Sequence, residues 1–243
     1  MILITRPLNE AKLLAKELKT FSLPTIIEPL TSFEYYKKRI TFHEKIFFIV
    51  SSLQSVHVLQ IYQKNYQNII AQGKFLVVGM KVAAELRSLG VNKIIKQFNS
   101  SDSLFNYLLR NKKSFEFKIE YLCGSIVNDD FISGLKRSRI KHKKVVLYKT
   151  IAVKKLSVRC STSLKNNQIT IVLIYSAYTA KVFMKLLRQY KLLSVLKNTY
   201  VLCLSKRIAY TFKDTVPQKK LLWSHLSNQK SLLDSLKSVI KQV

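Results

Sequence analysis

Short apolar runs recur along this chain, and most are followed by a segment whose apolar residues repeat at helical spacing. That alternation calls for parallel strands joined by helices, because a strand apolar on both sides must be covered on both faces. The runs are Ile2 to Thr5, Thr25 to Glu28, Ile46 to Val50, Lys74 to Val78, Lys118 to Leu122, Lys143 to Tyr148, Ile169 to Tyr175 and Tyr200 to Leu204. Helices are expected over Leu53 to Gln63, Lys81 to Leu89, Ser103 to Leu109, Asp129 to Lys136, Thr179 to Gln189, Arg207 to Lys213 and Gln229 to Ile240. Near the start, Asn9 is expected to cap a helix with Ala11, Leu14, Ala15 and Leu18 on one stripe.

Eight or more such strands suit either one barrel or two smaller doubly wound sheets, and the number alone does not choose. Two stretches look like an extended connection: Thr31 to Tyr36, with hydroxyls and aromatics after Pro29, and Val145 to Val153, a β-branched run broken by Lys149. If they pair, the chain leaves a first domain near residue 35 and returns to it near residue 152. The expected division is a discontinuous α/β domain of residues 1–35 and 152–243 and an inserted α/β domain of residues 36–151.

Only five glycines occur, so their places carry information. Gly79 follows Phe75-Leu-Val-Val78 and Gly124 follows Glu120-Tyr-Leu-Cys123, each at the carboxyl end of an expected strand. Hydroxyls occupy other strand exits: Thr5, Ser51 and Ser52, Ser176, and Ser205, while Ser101 and Ser103 flank Asp102 ahead of a helix. Capping alone favours such residues at any strand-to-helix turn. Their number at one kind of edge points further, because ligands of open α/β sheets bind there, against helix N–H groups and closely approaching backbone. Two domains with these edges facing each other would form a cleft lined by amides and hydroxyls.

Several chemistries lack their residues. No Gly-x-Gly-x-x-Gly follows Ile2 to Thr5, and no Gly-Lys-Ser or Gly-Lys-Thr occurs. His43, His57, His142 and His225 are not spaced as metal ligands with one another or with a cysteine, and Cys123, Cys160 and Cys203 suit neither a zinc site nor a disulfide framework. The doublet Asp129-Asp130 is explained by a helix N-terminus. Neither a leader nor a membrane span is expected, so the chain reads as soluble and cytoplasmic.

The formal charge of +29 brings nucleic acid to mind, with Tyr35-Tyr-Lys-Lys-Arg39 and Lys141-His-Lys-Lys144 as local patches. Arg, however, supplies only nine of the 42 basic residues, whereas a phosphate-gripping surface favours its bidentate fork. The aromatics also fall largely within expected strands and helix faces. A nucleic-acid-binding protein is therefore the weaker reading, and a small-ligand receptor using the same turns is a third.

The ordered motifs resemble the uroporphyrinogen-III synthase family over nearly the whole chain. Ile2-Leu-Ile-Thr-Arg-Pro7 with the Ala11 to Leu18 helix is similar to the family's start, and Glu28-Pro-Leu30 with Phe33-Glu34 to its first crossover. Phe48-Ile-Val-Ser-Ser52 with Ser55-Val56 matches the strand and Thr-Ser turn. Val77-Val-Gly-Met-Lys-Val-Ala83 resembles the Gly-x-x-Thr-Ala turn, and Ser100 or Ser101 then precedes a Leu-rich helix. Leu122-Cys-Gly124 stands where the family has Leu-Arg-Gly or Pro-Cys-Gly. Val145-Val-Leu-Tyr-Lys-Thr150 is similar to the Val-x-x-Tyr-x-Thr return crossover. Ile174-Tyr-Ser176 and Leu204-Ser-Lys-Arg-Ile-Ala209 match the second set of turns.

The resemblance implies two flavodoxin-like, doubly wound parallel-sheet domains joined by a two-stranded linker. It implies a cofactor-free, metal-free lyase of haem biosynthesis that cyclises the linear tetrapyrrole hydroxymethylbilane to uroporphyrinogen III, losing water and inverting the terminal pyrrole ring. It further implies a cytoplasmic monomer, in transient contact with hydroxymethylbilane synthase, that needs neither nucleic acid nor membrane. Tyr148 is then the catalytic candidate, helping the hydroxyl depart. Thr5, Ser51, Ser52, Gly79, Ser101, Gly124, Ser176, Ser205, Lys206 and Arg207 are the substrate-binding candidates. Departures from the pattern are Val82 and Ile208 in place of turn threonines, and Leu53 and Ala177 in place of prolines. Lys206 and Arg207 are the candidates to compensate, and a degenerate member that binds tetrapyrrole without turnover is the remaining alternative.

Overall fold

The computed structural model of the 243-residue chain describes residues 1–21, 23–112, 118–226 and 228–240. Its strands are β1 (Ile2–Ile4), β2 (Thr25–Ile27), β3 (Thr31–Tyr35), β4 (Ile46–Val50), β5 (Lys74–Val78), β6 (Ile94–Phe98), β7 (Lys118–Gly124), β8 (His142–Ala152), β9 (Ile171–Ile174), β10 (Tyr200–Cys203) and β11 (Leu221–Trp223). The α-helices are α1 (Leu8–Leu18), α2 (Leu53–Ile61), α3 (Gln63–Gln72), α4 (Met80–Ser88), α5 (Ser101–Arg110), α6 (Asp129–Arg137), α7 (Val158–Lys165), α8 (Ala177–Gln189), α9 (Lys206–Ala209) and α10 (Gln229–Ile240).

The chain divides into two compact units, Met1–Ser32 with Ile151–Val243, and Phe33–Thr150. Both boundaries fall within β3 and β8, which are neighbours in one sheet. The bonds Tyr36 N–H to Leu147 O (2.8 Å) and Val153 N–H to Leu30 O (3.1 Å) make that pair antiparallel.

In the first unit the sheet order is β2-β1-β9-β10-β11, with every pairing parallel. Numbered within the unit, that is 2-1-3-4-5, the flavodoxin-like winding, and its order reverses between β1 and β9. Alternate residues serve opposite faces, so Leu3, Val172, Ile174, Val201 and Cys203 pack with α8, while Ile2, Ile4, Ile171, Leu173 and Leu202 pack with α1 and α10. Glu28, buried just after β2, accepts from both Ser157 N–H (2.8 Å) and Ser157 Oγ–H (2.6 Å), tying the outgoing chain to the cap of α7.

In the second unit the order is β3-β8-β7-β4-β5-β6, parallel from β8 to β6. Its five parallel strands read 3-2-1-4-5 from β6 to β8, doubly wound with the reversal between β4 and β7. Phe48, Val50, Phe75, Val77 and Leu122 face the α2, α3 and α4 side, whereas Phe47, Ile49, Leu76, Ile119, Tyr121 and Cys123 face α5 and α6. Fully burying a side chain such as Phe48 or Phe75 contributes roughly 1.5–3 kcal/mol, which explains why these strands dominate the pattern.

Some expectations change. Helix α1 begins at Leu8 behind Pro7, which makes no side-chain cap bond, so Asn9 lies inside the helix. The helix expected to run to Gln63 breaks at Tyr62 and restarts as α3. Edge strands β6 and β11 and the polar helix α7 were not anticipated, since β6 is half-exposed, β11 is three residues long and α7 buries only Cys160, Ser163 and Leu164.

Candidate functional site

In the second unit, the strand-order reversal places the exits of β4 and β7 side by side, and β8 brings Tyr148 next to Gly124. Ser52 has extended backbone and caps α2 by accepting from Gln54 N–H (3.1 Å). Tyr148 donates its phenolic hydrogen to the same Ser52 oxygen (2.9 Å). With both acceptor positions of Ser52 taken, its own hydroxyl hydrogen remains to donate. Ser51, on the opposite side of the chain, shares a 2.7 Å hydrogen bond with the Tyr121 hydroxyl. Two phenols thus hold one turn, with Tyr148 in the core on one face of the sheet and Tyr121 in the core on the other.

Tyr148 is only 8% exposed, and its ring meets Phe33 edge-on at 5.6 Å between centroids. Burial raises its pKa above the ordinary tyrosine value; the bond to Ser52 opposes this, and nearby Cys123 and Tyr35 add to it. Tyr148 therefore remains a neutral hydrogen-bond donor at physiological pH. Burial pushes Tyr121 up to about 12 despite its bond to Ser51.

Gly124 has no side chain for a local reason. A Cβ there would lie 2.6 Å from Tyr148 Cε2 and Cζ and 2.9 Å from its hydroxyl. The missing side chain makes room for the tyrosine ring. Gly79 has φ +97°, a conformation that favours glycine, and donates its N–H to Phe98 O (2.8 Å). That amide is committed to the fold, so Gly79 shapes the turn into α4 and its N–H does not face a ligand. Val82 is buried in the core beneath this turn, which explains an apolar residue where a threonine was expected. Ser100 caps α5 in a reciprocal box with Ser103, placing Ser101 as the first helical residue.

In the first unit, Ser176 caps α8, accepting from Thr179 N–H (3.0 Å) and sharing a 2.7 Å bond with the Thr179 hydroxyl. Thr5 is fully buried and donates to Leu173 O (2.7 Å), so it clamps β1 to β9 and its donor is unavailable to a ligand. Ser205 is half-buried at the start of α9 without a side-chain cap bond. Lys206 and Arg207 are exposed beside it, with the Lys206 ammonium 5.9 Å from the Trp223 ring centroid. Ile208 is core. Arg6, after β1, pairs with Glu10, donates to Gln229 Oε1 (2.8 Å) and lies 4.3 Å over the Tyr175 ring.

Sequence reasoning missed Tyr121, Tyr35, Gln54 and Thr179. Tyr35 donates to Gln54 Oε1 (2.5 Å) beside the Ser52 turn. Tyr121 could have been suspected from its place three residues before Gly124 on a strand ending at that edge. Among the described residues no group of three or more His, Cys, Asp or Glu is arranged to hold a metal ion, and no helix is long and apolar enough to cross a membrane.

Burial raises Cys123 to about 11 and Cys160, Cys203, Tyr121 and Tyr175 to about 12. The fold therefore favours the protonated forms, and their contribution is complete below the unfolded values of 9.0 and 10.0 and is lost as pH rises through the folded ones. Denaturant midpoints should fall steadily from about pH 9 to about pH 12. A midpoint constant across that window would contradict the assignment.

Two mostly parallel sheets, each doubly wound, with side-chain-capped serine turns after β4 and β9, place the chain among doubly wound α/β proteins. Residues 12–220 match the family described as Uroporphyrinogen-III synthase HemD, and the chain belongs to that family, a lyase family of tetrapyrrole biosynthesis. A uroporphyrinogen-III synthetase from Helicobacter pylori shares the fold at a TM-score of 0.68, with 15% identity over 98% of each chain. A mutant uroporphyrinogen III synthase from Thermus thermophilus gives 0.63 with 11% identity, covering 100% of this chain and 99% of that one. No curated protein sequence matches the chain.

Proposed function

We infer that this chain converts hydroxymethylbilane to uroporphyrinogen III with Tyr148 as the acid of the reaction. The observation that carries the reading is a neutral, buried phenol bonded to Ser52 at the strand-order reversal of the second unit. When the substrate hydroxyl takes the Tyr148 hydrogen, Ser52 can rotate its own hydrogen to the phenol oxygen. The C–O bond then breaks, water leaves, and the already substituted carbon of the terminal pyrrole attacks the methylene cation that remains. That carbon's bond to its former methylene bridge then breaks, the freed bridge carbon bonds to the ring's unsubstituted α-carbon, and the proton lost there balances the one Tyr148 gave.

The substrate closes to the wrong isomer unaided, so orientation is what the protein must supply. The N–H groups opening α2, α5 and α8, the hydroxyls of Ser51, Ser52, Ser101, Ser176 and Ser205, and the cations of Lys206 and Arg207 suit a polycarboxylate. Gly124 makes room for the Tyr148 ring, while Thr5 and Gly79 shape their turns. The +29 charge speeds capture, and added salt weakens it. We place the enzyme in the cytoplasm as a monomer that receives its substrate by transient contact with hydroxymethylbilane synthase.

The test is isomer-resolved chromatography of products formed from freshly generated hydroxymethylbilane. Uroporphyrinogen III should predominate when the protein is present. An isomer ratio equal to that of the spontaneous reaction would overturn the reading.

A further inference from the structure

At the opposite edge of the second unit's sheet, Glu120 lies near the start of β7, about 13 Å along the strand from Gly124 at roughly 3.3 Å per residue. Glu120 is 2% exposed, and its buried Oε2 has no hydrogen-bond partner among the described residues. The other oxygen, Oε1, is 3.6 Å from the Lys143 ammonium. Burying a charge with one oxygen unmatched is costly, and the companion Glu28 shows the contrast, with both oxygens accepting from Ser157.

Glu120 faces an open pocket of about 460 Å³, lined also by Thr41, His43, Lys45, Ile46, Lys118 and Lys143. The segment before β4 forms one wall, held by Ile46 N–H to His43 O (2.9 Å) and Lys45 N–H to His43 Nδ1 (3.1 Å). A divalent cation would find one carboxylate amid three ammonium groups, too few oxygens for a site. A simple anion would meet the negative Oε2. The lining asks for a molecule with an N–H donor at one end, for Oε2, and an anionic group at the other, for Lys45 and Lys118.

We propose that this pocket binds a small amino acid zwitterion, its ammonium on Glu120 and its carboxylate on Lys45 and Lys118. The site belongs to the second unit alone and shares no residue with the Ser52 turn.

Amide chemical shifts of the full chain should be followed while glycine, β-alanine and 4-aminobutyrate are added separately, a series that varies the spacing of the two charges. At least one should move the amides of residues 41–46 and 118–120 saturably. Butyrate and butylamine, each lacking one end, should bind at least about tenfold more weakly. Glu120→Gln, which keeps the shape, should weaken binding about tenfold or more, as should the surface change Lys118→Gln. The absence of saturable shifts at these amides up to about 50 mM of every amino acid would overturn the proposal. So would equal binding of butyrate or butylamine, or unchanged affinity in Glu120→Gln. If Glu120→Gln does not fold, Lys118→Gln and Lys45→Gln decide by the same criterion.

Discussion

Replacing Tyr148 with phenylalanine should lower the rate of uroporphyrinogen III formation by about a hundredfold or more, the range in which a positioned acid contributes. The fold should survive. The ring keeps its edge-on contact with Phe33, and Ser52 still caps α2 through Gln54 N–H, so only the bond from the phenol to Ser52 is lost. That loss costs about 1 kcal/mol. The rate should be measured by isomer-resolved product analysis, with a denaturant curve run alongside it. A wild-type rate in a folded Tyr148→Phe protein would remove the phenol from the mechanism. The pH profile gives a second reading. Because burial holds the phenol above its ordinary value of 10.0, the part of the rate that depends on Tyr148 should persist through about pH 9. A loss beginning near neutrality would point to another group.

The strands most legible in the sequence are the ones buried on both faces. Ile46 to Val50 and Lys74 to Val78 are found with the bounds their apolar runs suggest, because every central strand must repel water from two sides. Edge strands carry no such constraint. Ile94–Phe98 exposes Ile95 and Lys96, so its pattern resembles a loop. The turns were legible by type and less so by role. Thr5 and Ser52 look alike as hydroxyls after apolar strands, yet one donates into the sheet and the other accepts from a helix N–H and a phenol. Only the neighbouring strand decides between these, and strand order cannot be read from the spacing of runs. The same holds for Tyr121. Its partner Ser51 is 70 residues away in sequence and becomes adjacent because β4 and β7 pair across the winding reversal.

Gly124→Ala should damage both stability and turnover, and the two losses can be separated. The glycine's φ is outside the positive range, so alanine meets no backbone strain there. The problem is contact: the new methyl would sit 2.6 Å from two ring carbons of Tyr148 and 2.9 Å from its hydroxyl. The ring has little freedom to move, since Phe33 packs on it and Ser125 N–H donates to the Tyr148 carbonyl at 2.8 Å. Forcing a methyl into such a site costs about 1–3 kcal/mol. Turnover should fall at the same time, because moving the ring pulls the hydroxyl from Ser52. Combining Gly124→Ala with Tyr148→Phe separates the effects. The ring-carbon clash remains in the phenylalanine background, so the stability loss should persist there nearly in full. The turnover loss should not add, because the hydroxyl that the methyl displaces is already gone. Fully additive turnover losses would mean that Gly124 serves the reaction independently of Tyr148, by direct backbone approach to the substrate.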